Sequence, residues 1–128
     1  KTGKNTAIPY SLLESRTEAC LNKLSYDLLL NCTSVGMYPH TDRCAVSETV
    51  ISRCGAVFDA VYNPHDTLLL KTARKLGIPV VHGMAMLVWQ AAAAHEIWYG
   101  ASFRPQDMAQ LTQEAAEEME RRFREEAK

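Results

Sequence analysis

Apolar positions along the chain fall into short continuous runs separated by stretches of helical spacing. Tyr26-Asp-Leu-Leu-Leu-Asn31 and Ala56-Val-Phe-Asp-Ala-Val-Tyr62 read as strands, and Ile78-Pro-Val-Val81 as a third, shorter one. Continuous rather than alternating apolar character predicts strands covered on both faces, as in a parallel sheet. Between them the period changes. Ser11 and Glu14 have capping-box spacing, and a helix to about Lys23 follows, with Leu13, Cys20 and Leu24 on one face. Val46, Val50 and Cys54 recur at i, i+4, i+8, with Gly55 suited to end that helix. Asp66 or Thr67 opens another, carrying Leu69, Ala73 and Leu76 on one face and stopping at Gly77. Gly83 opens a long, nearly uncharged helix to about Tyr99. Pro105 suits the first position of a last helix with an apolar stripe of Met108, Leu111, Ala115, Met119 and Phe123. Residues 5–9 form a short extended piece ended by Pro9.

Strands alternating with helices predict an α/β domain: a partial Rossmann-like, doubly wound parallel sheet with a C-terminal helical segment. Its expected organisation is a nucleotide-binding portion over residues 1–100 and an amphipathic helix over 101–128. At 128 residues the chain is one domain's worth. Fourteen Lys and Arg against fifteen Asp and Glu leave a net charge of −1, without the basic stripe that nucleic acid demands. No apolar run approaches the roughly 18 residues that span a bilayer. The polar N-terminus is not a signal peptide. Cys20, Cys32, Cys44 and Cys54 form no C-x-x-C pair and follow no zinc spacing, and Cys20 and Cys32 sit in apolar stretches. The expectation is a cytoplasmic protein with reduced thiols.

In doubly wound sheets, ligands bind at the carboxyl ends of the strands. Attention therefore falls on residues 33–36, 62–63 and 82–83. Asn31, Thr33 and Ser34 bring an amide and two hydroxyls, and Gly36 permits a positive φ. The segment is either a cofactor-facing loop or an ordinary polar transition. Gln90 stands alone in the apolar stretch Met84–Ala94, on one helical face with Gly83, Met86 and Ala94. A buried amide needs partners. It suits polyol hydroxyls, since it donates and accepts at once, but a core glutamine bonded to backbone fits equally. Tyr62 offers a phenol to a substrate or packs at the sheet edge. Asp59, within an apolar strand, calls for backbone N–H groups or a helix N-terminus. His40 and His65 lie in loops without telling partners, His95 reads as packed against the core, and His82 precedes Gly83 at the candidate site. G-x-G-x-x-G, P-loop and G-x-S-x-G motifs are absent.

Three segments taken in order resemble the shikimate dehydrogenase family. Asn31-Cys-Thr-Ser-Val-Gly-Met37 is similar to its Asn-Ala-Thr-x-x-Gly-Met signature, with Cys32 in place of alanine. Asp59 to Thr67 resembles its Asp-x-x-Tyr-x-Pro-x-x-Thr segment, and Gly83 to Gln90 its Gly-x-x-Met-Leu-x-x-Gln segment. The resemblance runs from about Thr6 to Gly100. It implies NADP-dependent interconversion of 3-dehydroshikimate and shikimate. Gln90 and Tyr62 then match substrate-binding positions, Ala60 and Gly83 the nicotinamide end of the cofactor, and Thr33, Ser34 and Met86 its surroundings.

The family's catalytic lysine and aspartate lie in an N-terminal domain to which nothing here corresponds, and its glycine-rich turn also comes earlier. The expectation is therefore a C-terminal segment of a longer enzyme, inactive alone, with no catalytic residue and no metal of its own. Its partners would be shikimate and the missing N-terminal domain, with strand exchange between copies where the sheet lacks its neighbours. Three alternatives stay open: a quinate/shikimate dehydrogenase, an enzyme fused to a dehydroquinate dehydratase, or a non-catalytic relative that senses a pathway metabolite.

Overall fold

A computed structural model describes residues 25–126. The extended piece at residues 5–9 and the capped helix over residues 11–23 lie outside the described residues. The chain runs β1 (Leu29–Asn31), α1 (Glu48–Ile51), β2 (Val57–Asp59), α2 (Leu68–Lys75), β3 (Val80–His82), α3 (Gly83–Tyr99) and α4 (Pro105–Glu126). The three strands pair in parallel in the order β1-β2-β3. The fold class is thus α/β with a parallel sheet. The register aligns Asn31 with Asp59, and Asp59 with His82, so the carboxyl ends of all three strands form one row.

One face of the sheet is packed. Ile51, Cys54, Val57, Leu69, Leu70 and Ala73 form a buried cluster flanked by Leu29, Val46 and Val80. The other face is open among the described residues: Leu30 is 57% and Val81 49% exposed. Coverage of the strands on both faces, as their continuous apolar runs predict, is therefore met on one side only.

Helix α2 has the Thr67 hydroxyl at its N-cap, accepting from the Leu70 N–H, and ends at Gly77 with φ +74°. Its buried stripe is Leu69, Leu70 and Ala73, whereas Leu76, at the C-cap, is exposed. The helix expected over residues 46–54 shrinks to four residues. Arg53 O accepts from Tyr26 N–H, and Gly55 N–H donates to Tyr26 O, which draws the chain into a strand-like bridge. Gly55 is consequently no left-handed helix end. It is small because a Cβ there would sit 2.9 Å from Asp27 O.

Helices α3 and α4 pack together through Met84, Val88, Ala92, Met108 and Ala116. The expected last-helix stripe is largely met: Met108 is buried and Ala115 and Met119 pack beside it, with Ala116 buried as well, while Leu111 is 48% exposed. Helix α3 is apolar all round, yet only its inner face is covered. Met86, Trp89, Ala93 and Ile97 form an exposed outer stripe, Ile97 at 81%. His95 is exposed as well, against the expectation that it packs in the core; it borders the rings of Tyr99 and Phe103. No helix of the described residues is long and apolar enough to cross a membrane.

Candidate functional site

A cleft of about 380 Å³ opens beyond the carboxyl ends of β1 and β2. One wall is Cys32, Thr33, Ser34, Met37 and Tyr38; the other is Ala60, Val61, Tyr62 and Asn63. Four of the candidate positions read from the sequence, Thr33, Ser34, Ala60 and Tyr62, meet here. Cys32 is exposed in this cleft rather than buried among apolar neighbours, because β1 ends at Asn31.

The walls are held by a polar network beneath them. The Asp59 carboxylate is wholly buried. Its Oδ1 accepts from Asn31 Nδ2 at 2.9 Å and from Val61 N–H at 3.0 Å, and its Oδ2 accepts from the Thr67 hydroxyl at 2.7 Å. Asn31 Oδ1 in turn accepts from the Thr33 hydroxyl at 2.7 Å and from Thr33 N–H at 3.1 Å. A buried charge persists only when its lone pairs are filled, and here the donors come from both walls and the start of α2. Asn31 and Thr33 thus act within the scaffold. Asn31 is buried, and the Thr33 hydroxyl is committed to a turn, accepting also from Val35 N–H. Asp59 meets the expectation of a structural role. The part of Asn31 and Thr67 in that role was hidden, although both fall within the motif segments.

Gly83 closes the far side. A Cβ on it would lie 2.5 Å from Ala60 O and 2.7 Å from Val61 O, so only glycine lets α3 begin directly against the cleft wall. Met86 and Gln90 are not brought into the cleft. Both lie on the exposed outer face of α3, with Gln90 roughly 10 Å along the axis from Gly83. The Gln90 amide faces solvent and needs no internal partner, since an apolar run does not bury a helix face that nothing covers. Among the described residues, no carboxylate, ammonium or imidazole lines the cleft. Its hydroxyls, phenols and backbone groups can hold and orient a ligand.

His82 lies away from the cleft. Its ring stacks on His65, with centroids 4.2 Å apart, and its Nδ1 is 2.9 Å from His65 O. Burial lowers the pKa of His65, as do His82 and Arg74, against the opposing pull of Glu120 and Asp66. The folded state therefore prefers neutral His65. Its contribution to stability is in place above the ordinary imidazole value near 6.5 and is lost as pH falls through the lower folded value. Thermal unfolding measured from pH 7 to 5 should show Tm falling, with a smaller fall in His65→Gln. Equal slopes would remove His65 from the account.

No family model matches the chain. The shikimate dehydrogenase (NADP(+)) of Caldanaerobacter subterraneus subsp. tengcongensis is 47% identical over 77 residues, which are 60% of this chain and 28% of that protein. Among solved structures, a chorismate mutase/shikimate 5-dehydrogenase fusion protein from Clostridium acetobutylicum superposes with a TM-score of 0.72. It shares 37% identity over 78% of this chain and 37% of its own. The shikimate 5-dehydrogenase of Thermus thermophilus, in complex with NADP(H) and shikimate, gives a TM-score of 0.60. Identity there is 33%, covering 69% of this chain and 33% of that one. The chain thus spans between a quarter and two fifths of the length of these relatives. By sequence and by fold alike, these matches are shikimate dehydrogenases, the family that the three motif segments resemble.

Proposed function

We propose that the chain forms the nicotinamide side of an NADP-dependent shikimate dehydrogenase, interconverting 3-dehydroshikimate and shikimate. The observation that supports this most is the cleft itself. Two motif segments form its walls, and the glycine that opens the third is locked against one of them. In this reading residues 1–100 belong to the cofactor-binding domain and residues 101–128 are its terminal helix.

Thr33, Ser34, Ala60 and Gly83 would border NADP, with Met86 on the first turns of α3. Tyr62 and Gln90 would reach shikimate. Tyr62 is 39% exposed at the cleft and free to offer its phenol. Gln90 faces outward, where a substrate held by a second domain would meet it, and its amide can donate to one hydroxyl while accepting from another. NADP supplies the hydride chemistry when bound; this chain's residues orient its ring and exclude water. In the family that the motif segments resemble, proton transfer belongs to a lysine and an aspartate of a separate substrate domain.

The test is to join the chain to such a substrate domain and follow NADPH formation with shikimate and, in a second arm, with quinate. Turnover with shikimate is expected, and none by the chain alone. In the joined protein, Gln90→Ala should raise the KM for shikimate about tenfold, the loss of one or two hydrogen bonds, with NADP affinity nearly unchanged. A wild-type KM in that variant would remove Gln90 from the substrate site. Metabolite binding without turnover would favour a sensor, and failure to bind NADP+ at all would sink the reading.

A further inference from the structure

The rings of His65 and His82 lie face to face, 4.2 Å apart and within 6° of parallel, beside a cavity of about 540 Å³ that α4 borders. Two contacts decide where the hydrogen on His82 sits. Its Nδ1 is 2.9 Å from His65 O, and a carbonyl oxygen only accepts, so Nδ1 carries the hydrogen. Arg74 Nη2 stands 3.4 Å from its Nε2, and a guanidinium only donates, so Nε2 presents a bare lone pair. The ring is thereby fixed in its Nδ1–H tautomer. A second proton would set N–H against N–H. Asp66 offers no relief, because Arg74 takes both its oxygens at 2.9 Å.

His65 is placed to the same effect. Its Nδ1 is shut from solvent and meets no hydrogen-bond partner among the described residues. A proton there would be a buried donor without an acceptor. Both rings thus fit their places only while uncharged. Their loop is tied at its base by the Thr67 hydroxyl on Asp59 Oδ2, and on the cleft side by Tyr38 N–H on Asn63 O. The His pair ties it to the end of β3.

We propose that the His65–His82 stack is a pH-sensitive clasp. Closed, it joins the loop after β2, which carries one wall of the cleft, to the junction of β3 and α3; a proton on either ring opens it. The charged groups around the pair are Asp66 on the loop, Arg74 of α2, and Glu117 and Glu120 of α4; the cavity lining adds no other from β3 or α3. Arg74 opposes a charged ring, and the two α4 carboxylates draw the released His65 into the cavity. The clasp stands independently of the cofactor reading.

The experiment is NMR of the imidazole nitrogens and backbone amides of the chain from pH 8 to pH 5. At pH 8, His82 should carry its hydrogen on Nδ1. On acidification, amides of residues 62–66 and 82–85 should shift together, while those of Val57 and Leu69 in the core hold. Arg74→Gln releases Asp66 to accept from a charged His82, and should move the opening to lower pH by about half a unit or more. His65→Phe keeps a flat ring and loses a titrating group, and should move it the same way. His95→Gln, on the exposed face of α3, should leave the curve unchanged. His82 found as the Nε2–H tautomer overturns the bracketing by Arg74 and His65 O. A wild-type curve in both Arg74→Gln and His65→Phe overturns the clasp, as does loss of the core amides at the same pH.

Discussion

Gly83→Ala is expected to destabilise the chain by at least about 3 kcal/mol, measured by urea unfolding. Alanine in a helix gains up to about 1 kcal/mol over glycine, so propensity alone would make the change favourable. Sterics decide the sign. The new methyl would lie 2.5 Å from Ala60 O, 2.7 Å from Ala60 C and 2.7 Å from Val61 O, all of them backbone atoms that cannot rotate away. Gly77→Ala is the contrast. It meets nothing within 4 Å but must hold φ at +74°, at a cost of about 1–2 kcal/mol that asparagine should partly recover. No residue with a Cβ should rescue position 83. A loss below 1 kcal/mol in Gly83→Ala would mean that α3 can slide outward and that its contact with the cleft wall is loose.

The second large effect is at Asp59. Asp59→Ala leaves Val61 N–H without an acceptor, the Thr67 hydroxyl without an acceptor for its proton, and Asn31 Nδ2 with only its 3.4 Å bond to Val35 O. At roughly 1–3 kcal/mol for each orphaned group, the expected loss is about 3–5 kcal/mol. Asp59→Asn should be milder, near 1–2 kcal/mol. Its oxygen can still serve Asn31 and Val61, while its Nδ2 donates to a Thr67 hydroxyl turned to accept. Comparable losses in the two variants would show that the negative charge, rather than the pattern of donors, is what the network requires.

How far the chain could be read from its residues depended on whether the signal was local. Strand cores, the Thr67 start and Gly77 stop of α2, and the full extent of α3 from Gly83 to Tyr99 were legible, because caps and breakers act on their own neighbours. Val46, Val50 and Cys54 misled. Their spacing records burial against one core, and backbone bonds to Tyr26 drew the chain out of the helix. The expected burial of Gln90 and His95 failed for a related reason: an apolar sequence states what a helix tolerates, not whether anything covers it. At the cleft, Thr33, Ser34 and Tyr62 could be found from the strand ends, and Ala60 only from the resemblance. Asn63 lies in the strand-end pair singled out from the sequence, whereas Tyr38 was missed, since its place in the cleft depends on a backbone bond to Asn63, distant in sequence.

β3 ends at His82 and α3 begins at Gly83, with no residue between them. Strand therefore hands directly to helix at one small residue, so a shift of β3 against its neighbours carries the start of α3 with it. The opposite wall is built differently: it rides on the long irregular crossing from Cys32 to Ser47, tied to its neighbour through the Tyr38 N–H bond to Asn63 O.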